Sequence, residues 1–88
     1  MNTNTIKLHY PITVSGTQIH TVTLRRPTVR DIKAAARQGA GSDEETETTL
    51  ISNLSGLAPT DIDQIDFADY LAVQEVLKGF RERSNSSA

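Results

Sequence analysis

Five basic side chains lie close together in the sequence, and their spacing suggests a binding surface. Three arginines surround the proline of the segment TLRRPTVRD, and Lys33 and Arg37 follow three and seven residues after Arg30. Residues at these intervals share one face of a helix, so they would form a basic stripe of the kind that contacts phosphates. The candidate electrostatic contacts are Arg25, Arg26, Arg30, Lys33 and Arg37.

The overall charge argues against a nucleic-acid ligand for this stripe. The 88-residue chain has nine basic and eleven acidic residues, with a formal net charge of −2, whereas domains that hold phosphate backbones usually carry a basic excess. No aromatic residue is interleaved with the basic ones to stack on bases. We therefore expect these side chains to face solvent, or to pair with nearby Asp31, with acids of the second helix, of a neighbouring copy or of a protein partner.

Neither a metal site nor a catalytic centre is indicated. The acidic segment DIDQIDFAD lacks the glycine turn and final glutamate of a calcium-binding loop, and Asp61, Asp66 and Asp69 suit helix starts. His9 and His20 have no cysteine to complete a zinc site. No activated nucleophile and no glycine-rich phosphate loop can be recognised. We expect no enzyme activity, no metal and no cofactor.

The elements that position these residues begin with a β-hairpin. Apolar and polar residues alternate from Ile6 to Val14, which predicts a strand with one buried face. Ser15-Gly16 is a turn dipeptide, and the threonine-rich segment from Thr17 to Arg25 reads as the returning strand.

The register of this hairpin requires one irregularity. A two-residue loop pairs Ile12 with Ile19 but places Tyr10 opposite a threonine. One extra residue in the second strand, a β-bulge near His20 and its neighbour Thr21, would restore Tyr10 opposite Val22. The same bulge would place Leu8 opposite Leu24.

Helix boundaries are marked by capping residues. Thr28 with Asp31 predicts a helix from Val29. Its apolar side would pack on the sheet and consists of Val29, Ile32, Ala35 and Ala36, and Gly39-Ala40-Gly41 would end it. Ser42 with Glu45 predicts a second helix that ends at Gly56. Its buried stripe would be Leu50, Ile51 and Leu54, and a short turn starting at Pro59 would carry Ile62 and Ile65.

The last helix is predicted to start after the cap Asp66, and its apolar stripe is unusually wide. We expect Phe67, Leu71 and part of Tyr70 to face inward. The surplus would then be available to a partner or to a second copy. The candidate partner-binding residues are Tyr70, Val73, Val76, Leu77 and Phe80.

The predicted fold is α+β. An N-terminal two-stranded antiparallel β-hairpin is followed by three helices and a short helical turn, in a single small domain over residues 1–80. Residues 81–88 read as a flexible polar tail. No secretory signal and no membrane-length apolar run is present, so we expect a cytosolic protein.

The order of these segments resembles a known family. PITVSG is followed by LRRPTVRD, an alanine-rich helix and LISNLSGLAPTDIDQIDFADY. Together they resemble the small tail assembly chaperones of contractile-tailed phages, the Mu-like and related family. The resemblance extends from about Ile6 to Phe80.

The resemblance implies a non-enzymatic phage protein that binds the long helical tape measure protein before the tail tube polymerises around it. It would act in the host bacterial cytoplasm and be absent from the mature virion. In many relatives a frameshift appends a second module that recruits tail tube protein, and the sequence leaves both this longer form and homo-oligomerisation open. The alternative function is a small DNA-binding regulator that uses the Arg30, Lys33 and Arg37 face.

Overall fold

The computed structural model describes residues 3–39 and 42–81, and it confirms the α+β fold. A two-stranded antiparallel hairpin precedes the helices. The elements are β1 (Thr3–Val14), β2 (Thr17–Arg25), α1 (Val29–Gln38), α2 (Asp43–Ser55), α3 (Pro59–Ile62) and α4 (Phe67–Phe80). The predicted helix stop at Ala40-Gly41 and the predicted flexible tail, apart from Arg81, lie outside the described residues.

The hairpin turn has the two-residue loop expected from the sequence. Ser15 and Gly16 both have positive φ, 51° and 80°, as a type I′ turn requires. Ile12 pairs with Ile19, as predicted. The turn therefore sets the register of the strand ends next to it.

The irregularity of the hairpin lies in β1, so the prediction of a bulge in β2 near His20 and Thr21 was wrong. The pairing shifts between Lys7 and Ile12 of β1, while their partners in β2 are only two residues apart, Thr21 and Ile19. The extra residues thus belong to the first strand. The expected pairs are not formed, because Val22 lies opposite Ile6, Leu24 lies opposite Asn4, and the Tyr10 side chain is exposed.

The buried carboxylate of Asp69 explains why the bulge forms in β1. Its two oxygens accept hydrogen bonds from the backbone N–H groups of His9 (3.1 Å) and Tyr10 (3.0 Å). Asp69 is only 4% exposed. Backbone amides of a bulge need acceptors elsewhere, and here a side chain of α4 supplies them. These hydrogen bonds, first that from Tyr10, hold the pKa of Asp69 below its usual range, against the effect of burial.

Asp69 lies in the first turn of α4, as the sequence suggested, but its carboxylate accepts hydrogen bonds from β1 and does not cap the helix. The cap of α4 is Asp66 alone, whose carboxylate accepts from the N–H of Ala68 at 3.0 Å. The role proposed for Asp61 is confirmed, since it accepts from the N–H of Ala58 at 3.0 Å at the start of α3.

The hydrophobic core lies between the inner face of the hairpin and α2, α3 and α4. It consists of Ile6, Leu8, Ile12, Val22, Leu24, Ile51, Leu54, Ile62, Ile65 and Val73. The predicted contributions of α2 and of the Pro59 turn are confirmed, with Leu50 only half-buried. Gly56 ends α2 in the left-handed conformation, with φ 82°, which glycine adopts without steric cost.

Helix α1 packs differently from the prediction. Ala35 is buried, but Ala36 is exposed, and Val29 and Ile32 are 70% and 49% exposed. The helix approaches α2 through small residues, since a Cβ added at Gly39 would lie 2.6 Å from the Cα of Thr46. This close approach turns the face with Ala35 and Gly39 inward, so the two large apolar side chains remain outside.

The inward face of α4 is also not the predicted one. Phe67 and Leu71 are 74% and 44% exposed, whereas Val73 is completely buried. Asp69 must face β1, and residues two positions away on a helix lie roughly 200° around its axis. The hydrogen bonds between Asp69 and the bulge therefore place Phe67 and Leu71 on the solvent side of α4.

Gly39→Ala should destabilise the protein by about 1–3 kcal/mol, because the new methyl group would overlap Thr46. Gly79→Ala is the matched control, since a Cβ there meets nothing within 4 Å. It should stabilise α4 by about 0.5–1 kcal/mol. Urea unfolding measures both changes, and equal effects at the two glycines would contradict the close approach of α1 to α2.

Asp69→Asn should lower the midpoint of thermal unfolding by about 10 °C, because the amide presents an NH₂ donor to a backbone N–H donor. Asp63→Asn, at an exposed aspartate, is the control and should leave the midpoint unchanged. Thermal denaturation followed by circular dichroism checks both values. A wild-type midpoint for Asp69→Asn would show that the bulge does not depend on this carboxylate.

Acid should destabilise the wild type more than Asp69→Asn. The folded-state pKa of Asp69 is depressed, so its contribution is present above the unfolded-state pKa of about 3.9 and is lost as pH falls through the folded-state value. Urea titrations between pH 6 and pH 2 should show the two proteins converging in stability at the acidic end. Parallel pH profiles would contradict this role.

Candidate functional site

The junction between β2 and α1 is held by an ion pair. The guanidinium of Arg25 donates to both carboxylate oxygens of Asp31, at 2.7 and 2.8 Å. The N–H and hydroxyl of Thr28 also donate to Asp31, at 2.8 and 3.1 Å. Hydrogen bonding by Arg25, and then by Thr28, holds the pKa of Asp31 well below its usual range. Arg25 therefore orients the start of α1.

Arg26 reaches the last helix. Its guanidinium carbon lies 5.8 Å from the centre of the Phe80 ring, within the range of a cation–π interaction. This contact links the end of β2 to the end of α4. Two of the five candidate basic residues thus have contacts inside the protein.

The remaining three basic residues form an exposed stripe on α1. Arg30, Lys33 and Arg37 all face solvent. Within residues 3–39 and 42–81, no ion pair joins them to the acidic second helix. The stripe borders the exposed apolar residue Val29 on the helix surface, because Lys33 follows Val29 by four residues.

An apolar groove lies between α1, α2 and α4. It encloses about 540 Å³. Val29 and Ile32 line it from α1, Leu50 from α2, and Leu77 and Phe80 from α4. Polar or charged side chains and the β2–α1 junction complete the lining, namely Pro27, Thr28, Glu47, Gln74, Lys78 and Arg81.

Glu47 of α2 is hydrogen-bonded to α4 at the edge of the groove. The side-chain amide of Gln74 donates to both carboxylate oxygens of Glu47, at 2.8 and 3.3 Å. Burial, and then the Glu47 charge and hydrogen bond, raise the pKa of Tyr70 to about 12. The phenol is protonated at neutral pH and lies close to Glu47 of α2.

The candidate partner-binding residues divide into three groups. Leu77 and Phe80 line the groove. Tyr70 and Val76 are half-buried and pack against the core, outside the groove lining. Val73 is completely buried, so it offers no surface to a partner in this fold.

Sequence reasoning missed the α1 side of the groove. Val29 and Ile32 were assigned to the core, yet they are exposed and line the groove. Leu50 of α2 both packs against the core, as predicted, and lines the groove. The signal was present, because α1 has large apolar residues on one face and basic residues beside them. The pattern alone does not distinguish a face that packs on the core from one that remains open.

The described part of the chain shows neither a metal site nor a membrane-spanning helix. Within residues 3–39 and 42–81, no three histidine, cysteine or carboxylate side chains come together as a metal site would require. In the same part of the chain, no helix has the length and apolar character needed to cross a membrane.

The fold and the groove define the class of molecule, a small α+β domain with an open apolar groove. Its family is given by a match over residues 5–82 to the family described as "Phage tail assembly chaperone proteins, E, or 41 or 14". The chain belongs to this family of phage tail assembly chaperones. No curated protein and no solved structure matches the chain.

Proposed function

We propose that this tail assembly chaperone binds the tape measure protein and keeps it soluble until the tail tube polymerises. The observation that carries the proposal is the exposure of Val29 and Ile32 beside Leu77 and Phe80, in a groove that no other described part of the chain fills. A contiguous group of exposed apolar side chains in a small protein favours a role in binding.

The shape of the groove suits a helical segment. It lies between helices, and its apolar side chains come from both walls and from the floor. Amphipathic helices bind such grooves through residues spaced at i, i+3, i+4 and i+7. A long helical partner offers this pattern repeatedly, and covering it would prevent the partner from aggregating through the same face.

The same proposal gives the site and time of action. The chaperone would act in the host cytoplasm and leave before the virion is complete, since the bound face of the partner must become available to the tail tube. Recruitment of tail tube protein through a longer frameshifted form, and assembly of several copies, belong to this proposal as further steps. The activity proposed is binding alone, without catalysis.

Val29→Asp and Ile32→Asp should each reduce recovery of the tape measure protein by at least about tenfold, because each loses a buried apolar contact and places a charge in the groove. The test co-expresses the tagged chaperone with the tape measure protein from the same phage. Soluble tape measure protein and its co-purification are then measured.

Phe67→Asp is the matched control. Phe67 is an equally exposed apolar residue at the first position of α4, outside the groove, and an acid is favourable there. All variants should retain the wild-type circular dichroism spectrum. Full capture by Ile32→Asp, or equal loss with Phe67→Asp, would exclude the groove as the binding site.

A further inference from the structure

We propose that the groove selects amphipathic helices whose apolar stripe is flanked by acidic side chains. This inference rests on the proposed function, and it specifies the chemistry of the segment that is bound. The basis is charge complementarity. Lys78 and Arg81 line the groove, and the exposed basic stripe of α1 lies on the same helix as the lining residues Val29 and Ile32, while the chain as a whole is acidic.

The α1 side of the groove is flanked by a row of cations that are not part of its lining. Val29 and Ile32 face the groove. Arg30 begins the row of cations, and Lys33 lies next to Val29 on the helix surface, four residues further on. Lys33 and Arg37 continue the row one helical turn at a time. All three cations are exposed, without ion-pair partners among residues 3–39 and 42–81.

The rim on the α4 side is also basic. Lys78 and Arg81 both line the groove and are exposed. Lys78 lies 3.5 Å from Glu75, but both side chains are largely solvated, and such pairs are weak enough to be replaced by a partner. Glu47 is the acidic residue of the lining, and its carboxylate is already bonded to Gln74.

The acidic residues of α2 are concentrated elsewhere. Asp43, Glu44 and Glu45 occupy its first turn, where they are exposed and favoured by the helix dipole. Leu50, the residue of α2 that forms the apolar floor, lies more than one turn further on. The acidic first turn of α2 therefore lies outside the groove lining, which includes the cations Lys78 and Arg81.

A helical peptide satisfies both parts of this surface. Its apolar stripe would cover Val29, Ile32 and Leu77, and glutamates on either flank would meet the two basic rims. A nucleic acid would use the cations but would leave the apolar floor uncovered, since phosphate contacts alone do not bury it. The groove therefore favours the acidic helix.

The test uses two fluorescein-labelled peptides of about 18 residues, long enough to form a helix. Both carry leucines at i, i+3, i+4 and i+7, with glutamate on the flanks of the stripe in one and lysine in the other. Fluorescence anisotropy with the full chain should show about tenfold tighter binding of the glutamate peptide at low salt. Salt should reduce this preference.

Three variants test which side chains cause the preference for the glutamate peptide. Arg30→Gln, Lys33→Gln and Arg37→Gln combined should reduce the preference to less than about twofold. Ile32→Asp should weaken binding of both peptides, because it disrupts the apolar contact they share. Lys7→Gln is the control for a cation remote from the groove, on the exposed face of β1, and should change neither affinity.

Several results would overturn the inference. They are equal affinities for the two peptides, no binding of either, and a preference that survives in the triple variant. Duplex DNA binding tighter than the glutamate peptide, and dependent on Arg30, Lys33 and Arg37, would assign the stripe to nucleic acid. A dimer in light scattering that Ile32→Asp dissociates would assign the groove to a second copy.

The two proposals fail separately. If Ile32→Asp loses the tape measure protein while the peptides show no charge preference, the proposed function stands and the acidic-helix inference is wrong. If the wild-type chain neither co-purifies with the tape measure protein nor keeps it soluble, the proposed function is wrong, whatever the peptides show. If Ile32→Asp captures the tape measure protein normally, the groove is not its binding site.

Discussion

The buried carboxylate of Asp69 joins the last helix to the irregular part of the first strand, and much of the remaining arrangement depends on this contact. The bulge of β1 leaves the amides of His9 and Tyr10 without partners in the hairpin, and Asp69 accepts both. In return, the two hydrogen bonds fix the rotation of α4 about its axis. Val73 then enters the core, while Phe67 and Leu71 face solvent.

The groove results from this constraint together with a second one at α1. The Asp69 contact orients α4 so that Leu77 and Phe80 form one wall. The close approach of Gly39 to Thr46 brings α1 onto α2 through small residues, which leaves Val29 and Ile32 to form the other. Arg26 over the Phe80 ring and the Arg25–Asp31 ion pair hold the two ends of the β2–α1 junction in place.

The groove is open in the folded protein, so the helical partner that we propose needs no unfolding of the core to enter it. The ten buried core side chains come from both strands, α2, α4 and the α3 region, and the groove residues Leu50, Leu77 and Phe80 pack against them. The apolar wall of α1, formed by Val29 and Ile32, is not part of this core. A tail assembly chaperone must bind and then release its partner, and an open groove with a polar rim suits both steps.

The sequence by itself determined the local features of this protein. The Ser15-Gly16 turn, the caps Thr28, Ser42 and Asp66, and the left-handed Gly56 each depend on a few neighbouring residues, so the element boundaries followed from them. Only the tertiary structure decided which strand carries the bulge, which face of α1 and α4 is buried, and that Asp69 is an acceptor for β1. These features depend on contacts between residues far apart in the sequence, such as Asp69 and His9, which are sixty residues apart. An apolar stripe also has the same sequence pattern whether it packs on the core or remains exposed.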